Sequence, residues 1–181
     1  MSYSALEAVN IMLRATQTSP AQSENESRRE YALAITSLNQ ERRRILVYGY
    51  RFNTDTIDLS YDSTAGKIPI SPTYLDVRLP APYVIRDDAV WDPNNNRFHN
   101  ENLTGVEVVV DVGFTDMPLA IQNWVVYSAA RRFYQSLNDE DSFYLIQLEK
   151  QAWAQAMATE DPSITESAGI RRLNTSFSRT V

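Results

Sequence analysis

A strand that runs directly into a long apolar helix constrains this chain more than any other feature of its 181 residues. Val106, Val108, Val110 and Val112 alternate with period two, the spacing of a strand with one buried face. The next segment, Phe114-Thr115-Asp116-Met117-Pro118, predicts a strand-to-helix junction. Asp116 is expected as the N-cap, its carboxylate accepting from free backbone N–H groups, and Pro118 is tolerated in a first turn that needs no donor there. Ile121, Trp124, Val125, Ser128 and Ala129 then recur at helical spacing, with Val126, Ala130, Phe133 and Leu137 forming a second stripe beside them. Two adjacent apolar stripes predict a helix covered on two sides. Small residues at 128–130 allow neighbouring helices to approach closely, so this helix is expected near the middle of a bundle.

With 43 % apolar residues the chain can bury one sizeable core, which fits a single domain or a domain carrying an insertion. It has no cysteine, which excludes disulfides and thiolate metal sites and permits a reducing compartment. The N-terminus lacks the basic start and apolar run of a signal peptide, and no stretch approaches the ~20 apolar residues of a membrane span, so a soluble, untargeted protein is expected. The formal charge of −6 repels phosphate, which argues against a general nucleic-acid binder.

In chain order, Ser4-Ala-Leu-Glu7 has capping-box spacing and Leu6, Val9 and Leu13 form a stripe, predicting a helix from Ser4 to Arg14. After turn chemistry at Ser19-Pro20, Ser23 to Glu26 repeats the spacing. A second helix is expected there, with Tyr31, Ile35, Leu38 and Ile45 on its apolar face, Arg28, Arg29, Glu30, Glu41, Arg42 and Arg43 mostly facing elsewhere, and Gly49 as its stop. From Tyr50 to Phe114 the period is strand-like, in Ile57, Leu59 and Tyr61 and then Leu75, Val77 and Leu79. Ser63 to Gly66 and Asp92 to Asn96 read as turns, and Pro69, Pro72, Pro80 and Pro82 belong at strand ends, edges or loops. Asn138 to Asp141 offers capping acids for a last helix carrying Leu145, Leu148, Ala152 and Ala156, which Pro162 ends. The expected fold is α+β: an antiparallel bundle of about four helices (1–49 plus 115–161), a small antiparallel β-sheet region inserted at 50–114, and an extended C-terminal tail at 162–181. So short an insertion is expected to lean on the helices or on another subunit.

Reactive chemistry is sparse. His99, the one histidine, rules out multi-histidine metal sites and leaves a triad formally open, but no nucleophile stands beside it and an ordinary loop residue is the favoured reading. The glycines at 49, 66, 105, 113 and 169 are too scattered for a phosphate loop. Asp92, Asn94 and Asn96 open like a calcium loop, yet Arg97 occupies the position that needs glycine and Leu103 the one that needs a bidentate acid, so a hairpin turn is expected. No catalytic residue, metal or cofactor is therefore assigned. Arg42, Arg43 and Arg44 form a charged patch that could contact phosphate or an acidic partner, or could be solvated and ion-paired at a helix end. The ten tyrosines suit either subunit contacts or the core. In the tail, Ile170, Leu173 and Phe177 beside Arg171 and Arg172 form a candidate partner-binding segment, with disorder in solution as the alternative.

Several segments, in this order and spacing, carry a resemblance: Leu6-Glu-Ala-Val-Asn10, Leu38-Asn39 leading to Gly49-Tyr-Arg-Phe-Asn-Thr54, Pro72-Thr-Tyr-Leu75, Val90-Trp-Asp92, Asp116-Met-Pro118, Trp124, and Ala129-Ala-Arg-Arg-Phe-Tyr134. Together they resemble the tail tubular protein A family, the head-to-tail adaptors or gatekeepers of short-tailed bacteriophages; the C-terminal tail matches least. The resemblance implies a non-enzymatic virion protein forming a homo-oligomeric ring of about twelve copies. That ring would sit under the portal protein, continue the DNA channel without sequence-specific binding, and support the nozzle (tail tubular protein B) and tail fibres. The bundle and tail are expected to engage the portal, and the β insertion to contact neighbours and distal tail components. A tail-associated envelope hydrolase is the alternative, and it lacks an acid, base or nucleophile constellation.

Overall fold

The computed structural model describes residues 2–24 and 26–159. Pro162 and the tail segment 162–181 thus lie outside the described residues. The chain divides into two compact units, Met1–Phe52 with Val112–Val181, and Asn53–Asp111.

The first unit is helical. Helix α1 spans Ala5–Ala15, and its capping box is formed: the Ser4 hydroxyl accepts from Glu7 N at 3.2 Å while the Glu7 carboxylate accepts from Ser4 N at 2.8 Å. Asn10 pairs its side-chain amide with both backbone groups of Ala21, at 2.7 and 3.2 Å, and so fastens the following connection to the helix. Helix α2 spans Arg29–Leu46, starting later than the Ser23 signal predicts. The Glu26 carboxylate accepts from Gln22 N and pairs with Arg28, whose guanidinium donates to the carbonyls of Ser19 and Pro20. Those groups fix a loop, and the acid is no longer available to cap a helix.

Helices α3 (Leu119–Asn138) and α4 (Phe143–Thr159) complete the unit. Helix α3 packs against α1, α2 and α4, the central place its two stripes predict. Trp124, Val125, Ala129 and Phe133 are buried, whereas Leu137 is 43 % exposed near the helix end. The junction differs from expectation. Asp116 ends a 3-10 turn at Phe114–Asp116, donating its N–H to Gly113 O at 3.1 Å, and Pro118 takes the N-cap position without a side-chain cap. Buried Gln122 ties this end together instead, donating to Phe114 O and accepting from Tyr3 N, both at 2.9 Å. The acidic run before α4 also acts otherwise than predicted: Asp139 closes α3 in the left-handed region (φ 54°), and Ser142, not an acid, sits at the start of α4 with its hydroxyl 3.4 Å from Leu145 N.

The second unit holds two three-stranded antiparallel sheets rather than one. Strands β1 (Thr54–Leu59), β6 (Leu103–Val110) and β2 (Tyr74–Arg78) pair in that order, as do β3 (Val84–Arg86), β4 (Ala89–Asp92) and β5 (Arg97–Phe98). Pro69, Pro72, Pro80 and Pro82 fall outside all six strands, and without N–H groups they interrupt any continuous ladder. Leu59, Ile68, Val77, Val90, Val106 and Val108 bury a common core, so the valine alternation of β6 aims inward as predicted, though Val112 lies beyond the strand. Opposite a register shift in β1, Gly105 takes φ 67° and its N–H reaches the Asp58 carboxylate at 2.9 Å, a conformation that disfavours any side chain.

Phe133 and Leu137 look alike in the helical pattern and differ in burial. Phe133→Ala is expected to cost ~3–5 kcal/mol and Leu137→Ala below ~1 kcal/mol, read from urea unfolding followed by helical circular dichroism.

Candidate functional site

The most concentrated polar chemistry among the described residues lies inside the helical unit, around Ser128 on the covered stripe of α3. Glu41, expected away from the apolar face of α2, is fully buried, as is Glu149 of α4 to within 6 %. Between them stands Ser128 of α3, whose Oγ lies 2.7 Å from a Glu41 oxygen and 2.8 Å from a Glu149 oxygen. The single hydroxyl proton can point to either carboxylate but to only one at a time, while the same oxygen accepts from Arg44 Nη2 at 3.0 Å. Arg44 Nε also donates to Glu41 at 2.7 Å, and Arg132 Nε lies 2.6 Å from the other Glu41 oxygen. On the far side, Arg131 donates to Glu149 at 3.0 Å and makes a two-armed contact with Asp141 at 2.9 and 3.0 Å. Glu41, Glu149 and Asp141 thus face Arg44, Arg131 and Arg132, three charges of each sign joining three helices.

Arg131 holds the Asp141 carboxyl below its ordinary value, chiefly through these hydrogen bonds, and Asp141 in turn is the largest cause raising the Arg131 guanidinium above its own. The geometry is that of a lock between helices. Ser128 is 2 % exposed, so no substrate reaches its hydroxyl. The signal was present in the sequence: Glu41 continues the spacing Ala34, Leu38, Glu41, Ile45, and Glu149 that of Leu145, Glu149, Ala152, Ala156. An acid in phase with an apolar stripe is a buried acid seeking a partner.

The predicted arginine patch is divided. Arg42 donates to Val112 O at 3.0 Å, Arg44 enters the lock, and Arg43 is exposed at the end of α2. The candidate segment Ile170, Arg171, Arg172, Leu173 and Phe177 lies outside the described residues. His99 lies in the loop after β5, as expected, but is buried there: its backbone N–H donates to Val90 O at 2.9 Å and its ring lies 4.4 Å from that of Tyr83. Asp92 forms the expected hairpin turn between β4 and β5. Its carboxylate accepts from Asn94 N, Asn95 N and the Asn95 side chain, which lowers its pKa and occupies both oxygens. Missed by the sequence reading were the exposed aromatic pair Phe143 and Tyr144, at 76 % and 69 %, opening α4. Among the described residues, no group of acids and histidines could hold a metal, and no helix is long and apolar enough to cross a membrane.

Fold and site together define an α+β protein whose buried charges lock helices to one another and whose most exposed large hydrophobic side chains, among the described residues, are the aromatics Phe143 and Tyr144. The chain belongs to the tail tubular protein family, whose model matches residues 6–166, and it is therefore a structural component of a phage tail. It is similar to "Tail tubular protein A" of Klebsiella phage KP34, with 25 % identity over 143 residues covering 76 % of each chain.

Two outcomes follow from the lock. Ser128→Ala leaves two buried carboxylates without their bridge and is expected to cost ~1–3 kcal/mol in urea unfolding with the helix content retained. Because the Asp141 pKa is lowered by folding, its contribution is complete above the ordinary value of 3.8 and is lost as pH falls through the lowered one. The stability gap between wild type and Asp141→Asn should therefore be constant from neutral pH down to about pH 5 and close progressively below about pH 4.

Proposed function

We propose that this tail tubular protein is a head-to-tail adaptor, closing into a ring of about twelve copies between the portal protein and the tail nozzle. The observation that carries this reading is the family match across residues 6–166, which spans the helical unit and the β unit alike. The ring continues the DNA channel and supports the nozzle, tail tubular protein B, and the tail fibres. Closing a ring requires heterologous contacts between two different faces of each copy. The exposed aromatics Phe143 and Tyr144, and Val84 and Ile85 of strand β3, supply candidate surfaces of the apolar character that protein interfaces use.

The charge supports passage of DNA rather than its capture. A net charge of −6 disfavours the many phosphate contacts that would retain a duplex, so the genome slides through without sequence-specific binding. The arginines at the end of α2, Arg42, Arg43 and Arg44, form the charged patch proposed to meet an acidic partner, Arg43 being the exposed member. The segment containing Ile170, Arg171, Arg172, Leu173 and Phe177 supplies partner-binding anchors.

Native mass spectrometry of the chain mixed with the portal ring from the same genome tests the reading. An increment of about twelve chains per portal is expected. Folded chain that leaves an intact portal at its original mass would overturn it.

A further inference from the structure

The β unit contains an open groove of about 470 Å³ that none of the described residues fills. Its apolar lining comes from Ile70, Pro72, Tyr74, Leu75, Val77 and Ile85. Two strands contribute to the wall, β2 through Tyr74 to Val77 and β3 through Ile85, and each is the edge strand of its sheet, hydrogen-bonded to a single neighbouring strand. An edge strand offers backbone donors and acceptors to an added extended segment, and the pockets beside it select side chains. Ile85, 46 % exposed, leaves apolar surface ready to be covered.

The charge of the groove selects its occupant. Asp76 and Asp88 line it and no cation does. Arg78 approaches Asp76 at 3.7 Å but also pairs with Glu107, so one cation faces two acids and the groove stays negative. An occupant should therefore be extended, basic and apolar at intervals. The chain carries such a segment beyond the described residues: from Ser163 to Val181 it has Arg171, Arg172 and Arg179 against Glu166 alone, with Ile170, Leu173 and Phe177 as apolar side chains. In an extended conformation Arg171, Leu173 and Phe177 project from one face, placing one cation and two apolar anchors on the side that enters. From Glu160 to Ile170 the chain can span up to ~35 Å when extended.

We propose that this groove, between edge strands β2 and β3, receives the C-terminal segment around Ile170–Phe177 of a neighbouring copy, with Arg171 directed at Asp76 and Asp88. The inference rests on the ring reading. It gives that ring a clasp in which arm and groove complement each other but not themselves, the asymmetry a heterologous interface needs. Association by such an arm combines backbone pairing, apolar burial and opposite charge, so it weakens with added salt.

The test uses the full-length chain with a photoreactive benzoylphenylalanine in place of Phe177, mixed with isotope-labelled chain lacking the probe and assembled on the portal ring. Inter-chain cross-links to residues 70–88 are expected. Arg171→Asp should reduce their yield on the order of tenfold, and Asp88→Asn should act in the same direction. Cross-links confined to the probe's own chain, or directed to the portal protein, would overturn the proposal while a ring of the expected mass keeps the adaptor reading intact. Absence of any ring in the native mass spectrum of the same sample would remove the adaptor reading and this clasp with it.

Discussion

A carboxylate with no access to water must find its counter-charge inside the protein, and the helical unit is arranged around that requirement at Glu41 and Glu149. Ser128 is small enough to let α2 and α4 approach α3, and its hydroxyl stands within hydrogen-bond distance of both acids across the gap. Arg44, Arg131 and Arg132 then neutralise the pair from positions where their own head groups still meet solvent. That asymmetry lowers the cost: the buried members are short of water, while their partners remain hydrated. The lock is specific because a purely apolar contact would let three helices slide, whereas a hydroxyl between two carboxylates fixes their mutual register.

The same economy of polar groups recurs at the start of α3. No acid caps it. Gln122 instead joins the turn before α3, through Phe114 O, to the chain before α1, through Tyr3 N. A single buried amide thus couples segments 119 residues apart, which ties the first helix to the central one without a large apolar contact at that point. In the β unit the corresponding device is the hairpin turn. Asp62 and Asp92 each accept backbone N–H groups two and three residues ahead, and so close the turns that precede Lys67 and Arg97.

For a component of a phage tail, these choices place rigidity and reactivity in different parts of the chain. Charges that could have been surface contacts are turned inward to hold the bundle, whereas among the described residues the most exposed large apolar side chains, Phe143, Tyr144, Val84 and Ile85, sit at the start of α4 and on the edge strand β3. An assembly protein needs that division, since a subunit that must match a neighbour over a broad face has to present it in one conformation.

The α+β class, the central place of α3, the capping box at Ser4 and Glu7 and the Asp92 turn were legible in the sequence, because each depends on spacing within a few residues of chain. Local pattern failed where two signals competed for one residue. Ser23 to Glu26 has capping-box spacing, but Arg28 draws Glu26 into a loop, and Asp116 is a good N-cap by type, but a 3-10 turn takes it first. Ser128 stands 87 residues from Glu41 and 21 from Glu149 in the chain. The sequence by itself determined that acids stood in phase with apolar stripes on α2 and α4. Only the tertiary structure decided that they meet, because the partner of a buried charge is chosen by how helices pack and not by the residues beside it in the chain.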